Sequence, residues 1–406
     1  MEQEQHRFDM ALDGYRVLDL ADSKGLYCTK LMADLGADVI KVEPPGGDSS
    51  RDLGPFYHHE LHREKSLSFF NLNTNKRSIT LNLEKADGRE IFKQLVKNAD
   101  IMVETFPPRY LDALGLGYSV LREMNRRLVM TSITPFGQEG PYRDYNASDI
   151  VGVAMGGQMY LCGFPDKPPV RPGASQGYHQ ASLHAAVGTL LALYYREMTG
   201  EGQHVDTSMQ EAVSMSLETT QQFFDLTGEV RKRTGREYRR PASGLFKCQD
   251  GYVFVGAERG WDALVDWMTS KGMGGDLNDE KYKDPQIRLN EIDHIHDLFI
   301  PFVMSQTRAE LYEEAQRRRI ILAPVQDIKE IVEDPQLEAR GYFYKVEHTE
   351  LNDTLTYPGP PYHLSETPWQ IRRRPPLIGE HNSEIYEGEL GYTKAQLAIL
   401  KSGGVI

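Results

Sequence analysis

Short apolar runs alternate with amphipathic stretches through the first third of the chain. Tyr15-Arg16-Val17-Leu18-Asp19-Leu20 alternates as a strand does. Ser23 is placed to cap a following helix in which Leu26, Leu31, Met32 and Leu35 recur at helical spacing, and Gly36 ends it. Asp38-Val39-Ile40-Lys41-Val42-Glu43 then reads as a buried strand stopped by Pro44-Pro45-Gly46-Gly47. Strand, helix and strand in that order predict a parallel sheet. Further strands are expected at 78–83, 100–104 and 128–133, with an amphipathic helix from Gly88 to Asn98. From Ser148 to Gly163 and from Gln180 to Glu197 the Ala-, Gly- and Leu-rich pattern predicts a buried helix pair. A long helix is expected from Met209 to about Leu226, then a charged linker over 227–244. Strands and short helices over 245–336, among them Tyr252-Val253-Phe254-Val255, read as a smaller α/β domain. The Pro-rich tail, with Tyr357-Pro358-Gly359-Pro360-Pro361 and Arg374-Pro375-Pro376, reads as extended chain returning to the first domain. No GxGxxG follows the first strand, so the topology is Rossmann-like without the dinucleotide fingerprint.

At 406 residues the chain suggests two domains. Cys28, Cys162 and Cys248 are far apart and odd in number, which fits neither a disulfide framework nor a CxxC metal site. A polar start, Met1-Glu2-Gln3-Glu4-Gln5-His6, and the absence of long uncharged apolar stretches give the expectation of a cytoplasmic protein with no membrane span. The net charge of −13 argues against a nucleic-acid partner, which needs a basic footprint. Basic clusters at Arg231-Lys232-Arg233 with Arg239-Arg240, at Arg317-Arg318-Arg319 and at Arg372-Arg373-Arg374 read as solvated faces or interface patches.

Residues 167–196 contain no Asp or Glu, and Tyr178 stands in the middle of that gap. The flanking text, Pro168-Pro169-Val170-Arg171-Pro172-Gly173 and then Arg196-Glu197-Met198-Thr199-Gly200-Glu201-Gly202-Gln203-His204-Val205-Asp206, resembles the centre of the class III CoA-transferases. That family includes the formyl-CoA, carnitine-CoA and benzylsuccinate-CoA transferases. Its stretch reads roughly PPVRVG-x-x-x-GD, and the aspartate is the nucleophile. Here Tyr178 takes that place, and no neighbouring carboxylate can replace it by a slipped register. Other signatures follow in the family's order: Leu35-Gly36-Ala37-Asp38, Asn75-Lys76-Arg77-Ser78, Leu114-Gly115-Leu116-Gly117-Tyr118, and Phe136-Gly137-Gln138-Glu139-Gly140-Pro141-Tyr142. Asp334-Pro335-Gln336-Leu337, Ala339-Arg340-Gly341 and Ile378-Gly379-Glu380-His381-Asn382 complete them. The resemblance implies a large Rossmann-like domain made of 1–226 with 337–406, a linker over 227–244, a small domain over 245–336, and two chains threaded as an interlocked dimer.

It also implies a chemistry that this chain lacks the means to perform alone. A carboxylate nucleophile attacks a CoA thioester to give a mixed anhydride and CoA thiolate, which returns to form an enzyme thioester. The acceptor acid then reverses the sequence, with backbone N–H groups stabilising the oxyanions. A phenol with a pKa near 10 is no such nucleophile. The family's RVLAGP-like loop along CoA is shortened here to Asp22-Ser23-Lys24-Gly25-Leu26, and its ENFRPG turn becomes Glu104-Thr105-Phe106-Pro107-Pro108-Arg109. The resemblance leaves Lys76, Arg77, Phe106 and Arg109 as candidate CoA contacts. The three cations read equally well as surface charges. A racemase of the same family needs a histidine before Asp149, where Ser148 stands, and an aspartate at Tyr178. The expectation is therefore a catalytically silent subunit, with CoA or acyl-CoA as substrate and no permanently bound cofactor or metal. A homologous subunit carrying the aspartate is its partner, and succinyl-CoA with benzylsuccinate is the substrate pair by analogy. An acyl-CoA hydrolase using His179 and a non-catalytic acyl-CoA-binding protein are the alternatives.

Overall fold

A computed structural model describes residues 10–235 and 240–406. The polar N-terminal stretch Met1–His6, Arg239 and residues 236–239 of the expected linker lie outside the described residues. The chain divides into two compact units: residues up to Met159 with Arg171–Leu226 and Ala339–Ile406, and Tyr160–Val170 with Thr227–Glu338. Among the described residues no helix is long and apolar enough to cross a membrane.

In the first unit six strands form one parallel sheet: β1 (Arg16–Leu20), β2 (Asp38–Glu43), β3 (Arg77–Thr80), β4 (Ile101–Glu104), β5 (Val129–Thr134) and β6 (His204–Ser208). Their order is β3-β2-β1-β4-β5-β6, and each neighbouring pair is parallel. Because side chains alternate along a strand, Val17, Val39, Ile101 and Val129 enter one core, and Leu18, Ile40, Met102 and Met130 the other. The Leu26–Asp34 and Gln176–Thr199 helices cover the first face through Cys28, Met32, Ala181 and Ala185. The Ala86–Lys97 helix and the tail residues Ile385 and Tyr386 cover the second. This double covering explains why the strands read as nearly continuous apolar runs.

The tail turns out to finish the sheet. His381 donates its backbone N–H to the Ser78 carbonyl at 2.9 Å, and Asn382 Oδ1 accepts the Thr80 N–H at 2.9 Å. Tyr386 donates its hydroxyl to the Thr80 carbonyl at 2.7 Å. Edge strand β3 is thus blocked by His381, Asn382 and Tyr386, which removes an open edge. The chain before these residues runs as an antiparallel pair, β10 (Phe343–His348) with β11 (Asp353–Pro358), and the tail departs from the extended expectation in ending on the Lys394–Ser402 helix.

Three local expectations need correction. Ser23 does not cap the first helix; Gly25 precedes it with no side-chain cap. The stretch from Met209 is two helices, Met209–Met215 and Thr220–Thr227, broken around Glu218, whose φ of 53° lies in the left-handed region. The Gln176–Thr199 helix is not buried all round: it sets small residues against the sheet and leaves large apolar ones outside.

The second unit holds β7 (Ser243–Cys248), β8 (Gly251–Gly256) and β9 (Ile321–Pro324) in an antiparallel sheet, where an α/β arrangement was expected. Of these three strands only β7 and β8 form a hairpin; the helices between β8 and β9 pack with the sheet over one core around Trp267, Phe299 and Phe302. Tyr160–Val170 belongs with this unit, and Arg233 holds it by donating to the Tyr160 carbonyl at 2.9 Å.

Candidate functional site

In an open parallel sheet of this order, ligands enter at the carboxyl ends of the strands where the order reverses, between β1 and β4. Here that crevice is filled by the protein itself. The Asp22 N–H donates to Thr105 Oγ1 at 2.9 Å, and the Thr105 hydroxyl donates to Asp22 Oδ1 at 2.9 Å. Lys24 pairs with the other oxygen of Asp22. Gly25 is required by the same closeness, since a Cβ there would sit 2.8 Å from the Thr105 methyl and 2.9 Å from the Ala21 Cβ. The shortened turn and the threonine noted in the sequence are therefore one feature, a turn and a side chain that lock together.

Tyr178 lies in the first turn of the Gln176–Thr199 helix. Its N–H donates to Asp149 Oδ1 at 3.0 Å. Asp149 opens the Asp149–Met155 helix and is buried, so it holds two helix starts together. Ser182, one turn on, donates to the Lys24 carbonyl at 3.0 Å and fixes the helix to the 22–25 turn. Burial, with Asp22 and Asp149 nearby, pushes the Tyr178 phenol above its ordinary pKa, so it is un-ionised at neutral pH. Two carboxylates thus approach this position in space although none does so in sequence. Asp22 is engaged by Lys24 and Thr105, and Asp149 by the Tyr178 backbone. His179 has a pKa below its ordinary value through burial. Its ring meets Tyr27 edge-on at 4.9 Å, and among the described residues no carboxylate hydrogen-bonds it.

The four candidate CoA contacts fall into two groups. Lys76 is fully buried, and its ammonium donates to Asp19 Oδ2 and Thr29 Oγ1 at 2.8 Å and to Asn73 Oδ1 at 2.9 Å. Arg77 is buried too, forked onto Asp38 at 2.8 and 2.6 Å and paired at 2.7 Å with Glu384 and Glu389. Neither offers an exposed donor to a phosphate; they tie β1, β3 and the tail together. Asn75 belongs to the same joint, accepting the N–H groups of Arg372 and Arg373 at 2.6 and 3.1 Å. Phe106 and Arg109 differ. They lie just beyond the carboxyl end of β4, with Phe106 stacked on Tyr110 at 4.7 Å. Arg109 is exposed and paired at 2.7 Å with exposed Asp144, a contact that solvent weakens.

Glu104 was not singled out by its sequence context. It is buried at the end of β4, accepts the Phe106 N–H at 2.7 Å, and is pushed up to about 7 by burial. Ser132 hydrogen-bonds it and also lies 2.8 Å from His204 Nε2. Glu104, Ser132 and Asp206 are register partners across β4, β5 and β6. Only sheet pairing brings them into one row.

The sheet order, and a helix start and turn locked at its carboxyl edge, define a Rossmann-type α/β protein. The chain belongs to CoA-transferase family III, whose sequence profile matches residues 12–382. It is 39% identical over 405 residues to succinyl-CoA:(R)-benzylsuccinate CoA-transferase subunit BbsE of Thauera aromatica, covering 96% of this chain and 97% of that one. It is 37% identical to formyl-CoA:oxalate CoA-transferase of Streptomyces avermitilis, covering 98% and 99%. Among solved structures, a CaiB/BaiF family protein from Brucella suis superposes with a TM-score of 0.84 at 29% identity, covering 94% and 100%.

Proposed function

We propose that this chain is the non-nucleophilic subunit of a heteromeric CoA-transferase. A homologous partner subunit supplies the aspartate that takes CoA from succinyl-CoA and passes it to an organic acid, with benzylsuccinate the favoured acceptor. Tyr178 carries the reading. It stands where the family's nucleophile stands, its phenol is un-ionised at neutral pH, and an aryl ester would not be an anhydride-level acyl donor. The closed Asp22–Thr105 crevice supports it, because the shortened CoA loop and the substituted turn interlock. The subunit named in the 39% relative supports both the heteromer and the acceptor; the 37% relative makes oxalate the acceptor to compare.

The partner reading draws on the outer face of the Gln176–Thr199 helix. Val187, Leu191, Tyr194 and Met198 are each more than half exposed there, at the i, i+4, i+7, i+11 spacing of a single stripe. A stripe of large apolar residues on a soluble chain marks an interaction surface, and a homologous chain threaded with this one would cover it. In such a complex Phe106 and Arg109 are the points where CoA rests as it passes as substrate.

Co-expression with a homologous subunit that keeps the aspartate tests the proposal. Succinyl-CoA-dependent formation of benzylsuccinyl-CoA is expected only from the pair. It should vanish when the partner's aspartate is changed to alanine and persist within about twofold in Tyr178→Phe. Transfer by this chain alone, abolished by Tyr178→Phe or His179→Gln, would refute it.

A further inference from the structure

Between the Leu26–Asp34 helix and the first turns of the Gln176–Thr199 helix lies a cavity of about 330 Å³. Tyr27, Leu183, Tyr342, Pro360 and Trp369 are among its apolar and aromatic lining residues, and His179 lines it too. That volume is at the small end of ligand pockets, which combine apolar walls with a few polar atoms. An engineered cavity of about 150 Å³ already holds benzene, so this one has room for a single ring with a short substituent.

Asn71 and Gln176 add amides to the wall, and Gln176 donates to the Gly173 carbonyl at 3.1 Å. Among the described residues nothing hydrogen-bonds the hydroxyl of Tyr27, the hydroxyl of Tyr342 or either nitrogen of His179. Tyr27 and His179 meet edge to face at 4.9 Å, a fixed aromatic corner against which a further ring can pack. Charge is another matter. Lys30 lines the cavity, 5.3 Å over the Trp369 ring, but its ammonium is bound to Asp34 and, at 2.9 Å, to Thr74. A bound carboxylate would face Asp34 with no free cation to balance it.

We propose that this cavity binds a small uncharged monocyclic aromatic compound carrying one hydrogen-bond acceptor, such as an aryl alcohol or aryl carbonyl compound. The ring packs between Tyr27, Tyr342 and Trp369, and the acceptor takes a hydrogen bond from the Tyr342 or Tyr27 hydroxyl. His179 directly follows Tyr178, so an occupant touches the helix turn that carries the nucleophile position. The inference is independent of the CoA-transfer reading and holds whether or not a partner subunit is catalytic.

Benzyl alcohol is the probe, titrated by calorimetry and ligand-detected NMR into the full chain. Saturable binding with a Kd on the order of 1 mM is expected, given so few ligand atoms. Benzoate and cyclohexylmethanol should each bind at least fivefold more weakly. Leu183→Trp, which places an indole at the wall, should weaken benzyl alcohol at least tenfold. Tyr342→Phe, which keeps the wall and removes one donor, should weaken it about threefold with an unchanged melting temperature. Absence of saturation at 10 mM, equal binding of benzoate or cyclohexylmethanol, or binding unaffected by both substitutions would overturn the proposal.

Discussion

Lys76 offers the sharpest test of what the family signature around it is for. If it contacts a CoA phosphate from the surface, its removal leaves stability within about 0.5 kcal/mol and weakens CoA. The geometry predicts the opposite. Both Lys76 and Asp19 are fully buried, 2.8 Å apart, and the ammonium has further acceptors in Thr29 at 2.8 Å and Asn73 at 2.9 Å. Lys76→Met keeps the stem and removes the charge. Asp19 is then left with the Thr29 hydroxyl at 2.8 Å and the Ala21 N–H at 3.0 Å as donors, a buried carboxylate without its cation. Breaking such a pair from one side costs about 3–5 kcal/mol. Native-state hydrogen exchange at the amides of β1 and β3 reads this loss for the large unit separately from the small one. Replacing both partners, Lys76→Met with Asp19→Leu, should recover a good part of it, since no uncompensated charge remains. A loss below about 1 kcal/mol for Lys76→Met, or a CoA-binding defect with unchanged protection, refutes the structural role.

Three further outcomes are expected from the same geometry. Glu104 keeps its proton to about pH 7 in the folded chain against an ordinary 4.5; the native state binds the extra proton between those values, so its contribution to stability is lost as pH rises through that window. At about 1.4 kcal/mol per pH unit the change is at most on the order of 3 kcal/mol; urea midpoints of Glu104→Gln should lack this slope, and parallel pH profiles would count against it. Gly25→Ala places a methyl 2.8 Å from the Thr105 methyl and should cost about 1–3 kcal/mol, partly restored by Thr105→Ser in thermal melts; no restoration would mean the crevice is not closed by that contact. Arg51 forks onto Glu43 at 2.6 and 2.7 Å over the Phe69 ring at 3.8 Å, so Arg51→Lys should lose most of what Arg51→Met loses in urea unfolding, a lysine having no planar fork.

Much of the large unit was legible because its strands are buried on both faces and its helices on one. Apolar runs such as Val39-Ile40 and Ile101-Met102-Val103 have no stable place except inside a doubly covered sheet. β6 escaped that reading. Its residues His204, Asp206, Thr207 and Ser208 are polar, and only pairing with β5 makes a strand of them. The break around Glu218 was hidden because the residue with the left-handed φ of 53° is a glutamate and not the glycine that usually marks such a position.

The sequence alone pointed to the family, the parallel sheet and a stretch around Tyr178 free of Asp and Glu, because these reside in local pattern and in single residue identities. Burial and partnership needed the tertiary structure. Lys76 and Asp19 lie 57 residues apart and Arg77 and Glu389 lie 312 apart, so no local spacing could show that these cations are already paired. The closure of the crevice by Asp22 and Thr105, across 83 residues, was equally invisible along the chain. A side chain's chemical freedom is set by the low-dielectric neighbours that folding assembles around it, and chain order does not contain those neighbours.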